Sequence, residues 1–340
     1  MKRNFLIVAT LSMMIFLTGS SVLNAEVQFK GLVQTWFSYT PQQGSDNNLY
    51  GFTLRRLRLN PYGTLTKNIK WGFQVAWDKQ VASVLDVYLD FLFSPQFTIR
   101  VGQFPAPGAI SSALTSSGKL DMLERPLVTE NWGGISRLSS FRAFGLQVSG
   151  ELAKGKLYYA VMAANPKATS LFDPAIKATT YTHADNGLVL WTRLEAKPLD
   201  GLKIGAFASA GKDDLDYTTN SYGGHLFYEK NGLNFKAEYL AGKYGGKDAE
   251  RKYHGYSILL GYTIAKLEPV VRYDFYTPND NKIFHSDVKK FNHLTLGLNY
   301  FVDKNVKLQA NYVLRDETMA AGLAKLDNNL FYICLQYTYN

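Results

Sequence analysis

From the Glu26 region to its last residue the chain repeats one unit: about ten residues alternating apolar with polar or small, then a break that is alternately very short and long. Leu294, Leu296, Leu298 and Tyr300 stand against His293, Thr295, Gly297 and Asn299. Phe331, Ile333, Leu335, Tyr337 and Tyr339 stand likewise against Tyr332, Cys334, Gln336 and Thr338. A period of two sends alternate side chains to opposite faces of a strand, one suited to lipid and the other to a polar lumen. In lipid every backbone group must be satisfied internally, which leaves helices and closed barrels as spanning structures. No long apolar run follows the first 25 residues. The expected fold class is therefore all-β: a transmembrane antiparallel β-barrel of about 16 strands, with tight turns at one rim and longer loops at the other.

The first residues read differently. Lys2 and Arg3 precede an apolar stretch from Leu6 to Leu17 and a small, polar exit from Thr18 to Ala25, the anatomy of a secretory signal peptide cut after Ala25. Residues 1–25 are thus expected to be a signal peptide and 26–340 the barrel. The formal charge is +9, and the loss of Lys2 and Arg3 lowers it by two. Export excludes nucleic acid as the partner of this basic excess and favours anionic lipid heads or an anionic solute. The lone cysteine, Cys334, cannot form an internal disulfide and falls on the lumen face as a small filler. Aromatic residues make up 14% of the chain, and Trp36, Trp71 and Trp77 on predicted strands suit the interfacial girdle of such a barrel.

The alternation places strands at Val27–Tyr39, Phe52–Leu65, Ile69–Asp78, Val84–Phe93, Phe97–Phe104, Phe141–Leu152, Leu157–Ala164 and Leu188–Lys197. Eight more follow at Leu202–Gly211, Tyr222–Glu229, Leu233–Gly242, Gly255–Ile264, Leu267–Tyr276, His293–Phe301, Val306–Arg315 and Phe331–Tyr339. Tight breaks such as Lys230–Gly232 and Ala265–Lys266 alternate with longer polar segments such as Pro166–Asn186 and Thr277–Asn292. An even strand count puts both termini on the side of the short turns, expected to be the periplasm. One connection, Pro105–Ser140, far exceeds the rest. Loops of this length are usually functional, and this one is expected to fold inward at mid-height and narrow a water-filled lumen. Its Ser, Pro and charged residues suit a solvated constriction rather than a packed lid.

Parity assigns side chains to the lumen. Arg56 and Arg58 turn inward opposite Leu57 and Leu59; Arg100 turns in between Ile99 and Val101; Arg193 and Glu195, Lys236 and Glu238, and Arg272 with Glu268 and Asp274 do the same. An outward charge at mid-strand would cost about 2–4 kcal/mol. Lys119 and Arg125 sit in the long loop. Arg55 breaks the parity and is expected to meet lipid, at the rim or at a bulge. Rings of Arg or Lys in a pore select anions or phosphate, and the Arg fork matches phosphate oxygens. The opposing reading pairs each Arg with a neighbouring carboxylate such as Asp86, Asp90, Glu195 or Asp274, leaving an electrically quiet wall. The net excess of cations favours a weak anion preference. The five histidines fall mostly in loops or at strand tops without zinc-ligand spacing, and no Ser/His spacing supports a hydrolase. No metal, cofactor or enzymatic activity is expected.

Phe52-Thr-Leu-Arg55-Arg56-Leu-Arg58-Leu59, Arg100-Val-Gly-Gln-Phe104, Leu114-Thr-Ser-Ser117 before Met122-Leu-Glu-Arg125, Leu267-Glu-Pro-Val-Val-Arg272-Tyr-Asp274 and Leu296-Gly-Leu-Asn-Tyr300 occur in an order that resembles the phosphate-selective porin O/P family across nearly the whole mature chain. The resemblance implies a 16-stranded homotrimeric outer-membrane channel with an inward loop and basic residues guiding anions such as phosphate. It places Arg56 and Arg58 in a basic ladder, Lys119 at the constriction and Arg272 in the strand motif. The chain departs from the usual terminal aromatic by ending Tyr339-Asn340. The functional expectation is a diffusion channel for small anionic solutes. A general, weakly selective porin and a non-transporting barrel such as an adhesin are the alternatives.

Overall fold

The computed structural model describes residues 27–41, 48–78, 81–135, 141–165, 187–212, 218–245, 250–278, 288–320, 322–323 and 328–339. The expected signal peptide, the 166–186 loop and Asn340 lie outside the described residues. Sixteen strands close into one antiparallel barrel in which every neighbour is the next strand in sequence and β1 (Val27–Thr40) pairs with β16 (Leu330–Tyr339). Closure removes the open edges that the first and last strands would otherwise expose.

Each expected strand is present. β2 (Leu49–Thr66), β10 (Thr218–Lys230), β12 (Arg251–Tyr262), β14 (Val288–Phe301) and β15 (Val306–Met319) extend further toward the loop rim than the alternation alone indicated. Ladder hydrogen bonds continue there, over polar residues in β10 and β15. At the turn rim, Asn231 and Gly232 both take positive φ, 53° and 84°, between β10 and β11 (Leu233–Gly245). That conformation matches the twist of the flanking strands and favours Asn-Gly.

The outer face is apolar and exposed: Leu294, Leu296, Leu298 and Tyr300 on β14, and Ile333, Leu335 and Tyr337 on β16. Trp77 on β3 (Ile69–Asp78) is also exposed. Trp36 is a correction, because it shares a face with the inward Gln34 and its ring stacks on Tyr332 inside the barrel. Arg55 is a second correction. The β1–β2 register skips it, Gln34 facing Arg56 and Thr35 facing Leu54. This bulge rotates Arg55 inward, where Glu124 receives it at 2.7 Å. The bulge half of the expectation holds; the lipid contact does not.

The long connection after β5 (Phe97–Pro105) folds into the barrel and returns to β6 (Arg142–Leu152). It contains a 3-10 turn at Ser117–Lys119 and one helix, α1 (Leu127–Ile135). It is packed, not a solvated constriction: Ala106, Ala109, Ser112, Ser117, Met122, Val128, Thr129 and Trp132 are buried to 2% exposure or less. Trp132 meets Trp191 of β8 (Leu188–Ala196) and Phe207 of β9 (Leu202–Lys212) with centroids 5.9 and 5.7 Å apart. Tyr253 of β12, Tyr276 of β13 (Leu267–Thr277), Leu240 of β11 and Met162 of β7 (Leu157–Ala164) complete the cluster. Two glycines permit this approach, since a Cβ on Gly255 would lie 2.8 Å from Val128 Cγ2, and one on Gly108 2.5 Å from the Trp132 ring.

Candidate functional site: the lumen and its inner loop

The inner loop is held by the residues that parity turned inward. Arg272 donates to the carbonyls of Glu124 at 2.8 Å and Arg125 at 3.3 Å while its Nε binds Asp274 at 2.7 Å. Asp274 also accepts the Leu127 N–H at the start of α1, 3.2 Å away, where a carboxylate complements the helix dipole. Glu238 accepts from the Ser111 hydroxyl, and Arg193 donates to the Gly108 carbonyl at 2.7 Å. Lys236 binds Asp121 at 2.9 Å and Glu229 at 2.9 Å.

A line of amides continues the anchorage: Asn299 donates to the Asp121 carbonyl, Gln336 to the Gly118 carbonyl, and Asn311 accepts the Leu123 N–H. Lys307 donates to the Leu120 carbonyl at 2.9 Å. A loop segment buried among strands would carry unmet backbone groups. These side chains supply the partners.

Within the loop, the Arg125 guanidinium donates to the carbonyls of Ser111, Ser112 and Thr115 and to the Ser117 hydroxyl. Arg58 reaches the same hydroxyl at 2.9 Å. Arg125 therefore folds the 111–117 turn around one cation and is only 5% exposed. Arg55 and Arg56 converge on Glu124. Burial pushes that carboxyl upward, but Arg56 and Arg55 outweigh it and hold Glu124 below the usual carboxylate range.

Four further inward arginines are paired as well. Arg58 binds Asp78 at 2.6 Å, Arg100 binds Asp90 at 2.6 Å, and Arg193 binds Glu195 at 2.7 Å. Arg142 binds Asp86 at 2.6 Å. Arg142, Glu124 and Asp78 were missed by strand parity, because the first two lie at the edge of or inside the loop and Asp78 ends a strand. Charge arithmetic along one face cannot see partners brought from another element.

Of the expected anion-guiding set, Arg56, Arg193 and Arg272 are buried against the loop. Arg58 and Arg100 keep part of their surface open, Arg100 with its guanidinium 3.9 Å from the Tyr88 ring centre. Lys119 is exposed and makes no ion pair among the described residues. Asp86, Asp90 and Asp274 each hold an arginine, as the pairing reading described. His225 and His293, both on expected strands, are buried inside the barrel beside Glu195 at 3.5 Å and Glu317 at 3.4 Å. Among the described residues no group of His, Cys, Asp or Glu is placed to hold a metal.

Beneath the loop a cavity of about 1150 Å³ opens toward the turn rim. Its wall carries eight basic side chains, including Lys30, Arg58, Lys119, Lys304 and Lys307, against five acidic ones. A second cavity of about 420 Å³ lies along β5 to β8, with Arg100, Tyr158 and Lys197 in its wall. Both meet at Ala113 and Leu114 of the inner loop. A closed barrel with an apolar exterior, a charged interior and an inward loop has the parts of a channel.

The sequence profile of the family described as phosphate-selective porin O and P matches residues 27–169 and 197–339. The chain belongs to this family. It is an outer-membrane porin and not an enzyme. The porin is similar in fold to the anion-selective porin from Comamonas acidovorans, with 14% identity over 93% of this chain and 100% of that one, and a TM-score of 0.69. It is also similar to OmpF of Salmonella typhi, solved with daunomycin: 12% identity, 92% of this chain and 97% of that one, TM-score 0.66. The trimer form of OmpT from Vibrio cholerae gives 14% identity, 93% and 99% coverage and a TM-score of 0.61. No curated protein sequence matches the porin significantly.

Proposed function

We propose that this porin is a diffusion channel for small anions, phosphate among them, whose preference resides in the open cations of the cavity beneath the inner loop. The observation that carries the reading is the excess of basic over acidic side chains around that cavity. Paired charges contribute little net field, so the guiding role falls to Lys119, Lys30 and Lys304, with the partly open Arg58 and Arg100 each offset by its own carboxylate, while Arg56, Arg125, Arg193, Lys236 and Arg272 hold the loop. Family membership and the fold shared with an anion-selective porin support the same reading. Homotrimer assembly is inferred by analogy with the trimer form of OmpT. The termini and tight turns are assigned to the periplasm, and cleavage of a 25-residue leader to export.

A weakly selective general porin is the second reading, favoured by the carboxylate opposite nearly every inward arginine. The reversal potential of single channels in a KCl gradient separates the two. Chloride-favouring potentials that shift toward zero in Lys119→Gln support anion guidance. A wild-type potential near zero rejects it.

A further inference from the structure

The lumen wall of β15, β16 and β1 is lined largely by amides, Gln309, Asn311, Gln336 and Gln34. Two aromatic rings interrupt it. Trp36 and Tyr332 face inward with centroids 4.8 Å apart and planes at 15°. Both are half-buried, and neither belongs to the apolar cluster around α1. The Arg55 guanidinium lies 5.2 Å from the Trp36 ring centre, so one end of the stack already carries a cation.

Arg315 stands on the neighbouring strand. It projects inward from β15 opposite His293, on the same face as Asn311, which pairs with Tyr332. The arginines described above have carboxylate partners; Arg315 has none within ion-pair distance among the described residues, and its Nε is a buried donor without an acceptor. A buried donor left unmet costs free energy that a bound acceptor would recover.

We propose that this wall is a binding site for a planar organic anion, an aromatic carboxylate, with its ring on the Trp36–Tyr332 surface and its carboxylate on Arg315. The guanidinium requires negative charge and favours a carboxylate through charge-assisted hydrogen bonds. The rings require a flat apolar face. Inorganic phosphate meets the first demand and a neutral sugar the second; an aromatic carboxylate meets both. The inference rests on the channel reading, since the ligand reaches the site through the lumen, and it adds a substrate class to it.

The test is block of single-channel KCl current by benzoate, with acetate as the same charge without the ring and phosphate as the inorganic arm. In the wild type benzoate reaches half-block at a concentration about fivefold below that of acetate, within the range of one stacking contact. Trp36→Leu and Tyr332→Leu raise the benzoate value about threefold to tenfold and leave phosphate unchanged; Tyr332→Phe keeps block intact; Arg315→Gln weakens benzoate and acetate together. Equal half-block by benzoate and acetate in the wild type, which needs no variant to fold, overturns the site. So does benzoate block that survives both Trp36→Leu and Arg315→Gln. The reversal potential in the same records keeps the two proposals apart: lost anion preference with benzoate block retained rejects the general anion channel and leaves the site standing, and the converse rejects the site alone.

Discussion

The inner loop meets two unlike walls. From the end of β5 round to β13 it presents Ala106, Ala109, Val128 and Trp132 to Met162, Val189, Trp191, Phe207, Tyr253 and Tyr276, an apolar core inside the barrel with Arg193, Lys236 and Glu238 as its polar margin. Against β13 to β16, β1 and β2 it is held by hydrogen bonds and ion pairs to Arg272, Asn299, Lys307, Asn311, Gln336, Arg56 and Arg58. The difference assigns the two walls different tasks. Apolar packing excludes water and has no substitute when lost, so it fixes where the loop sits. Polar anchors exchange with water at modest net cost, so they decide which charges are spent on the loop and which stay open to solute.

The largest effect is expected from breaking the apolar side. Trp132→Ala removes the centre of the cluster, a change of about 3–5 kcal/mol in packed cores. The loop should then leave its seat while the barrel stays closed, giving larger and noisier single-channel conductance. A quiet trace of wild-type size would mean that the polar anchors suffice and would erase the distinction between the walls.

Breaking the polar side at its most concentrated point comes next. Glu124→Gln leaves Arg55 and Arg56 buried without their carboxylate, a class of change that costs about 3–5 kcal/mol, and adds one net positive charge beside the passage. Lower thermal stability and a reversal potential more favourable to chloride are expected. The same residue sets a pH dependence. Arg56 and Arg55 hold its folded pKa below the ordinary glutamate range, so its contribution is complete above that range and is lost as pH falls through the depressed value. The acid branch of the wild-type stability curve should therefore be steeper than that of Glu124→Gln. Parallel branches would show that Glu124 is not ionically tied to the two arginines.

A smaller effect sharpens the comparison. Replacing Arg56 and Arg58 together by Gln removes two loop anchors, one of them a partly open cation, whereas Lys119→Gln removes an exposed cation and no anchor. The double variant should lower the chloride preference modestly and increase current noise. Lys119→Gln should lower the preference as much without added noise. Noise in both, or in neither, would dissolve the division between anchoring and guiding charges.

Much of the barrel was legible because a period of two is a local property: the strand starts at Ile69, Leu157 and Leu267 and the inward direction of Arg56, Arg100, Arg193 and Arg272 follow from each strand alone. The apolar seat of the loop left a signal that was also present in the sequence. Leu188, Val189, Leu190 and Trp191 are apolar on both parities, and Met162 and Tyr276 fall on lumen positions. A lumen wall needs no such residues unless something apolar covers it.

Other features had no local signature. Arg55 turns inward because β1 and β2 slip by one residue between Gln34 and Thr35, a property of the pair. Alternation in the amino-acid sequence by itself determined the membrane class, the strands, the rims and the inward set of charges, since each depends on neighbours one or two residues away. The tertiary structure decided which inward charges are spent, joining Glu124 to Arg55 and Arg56 across 69 and 68 residues and Leu120 to Lys307 across 187. Charge pairing depends on distance in space, and along this chain that distance is set by where the loop comes to rest.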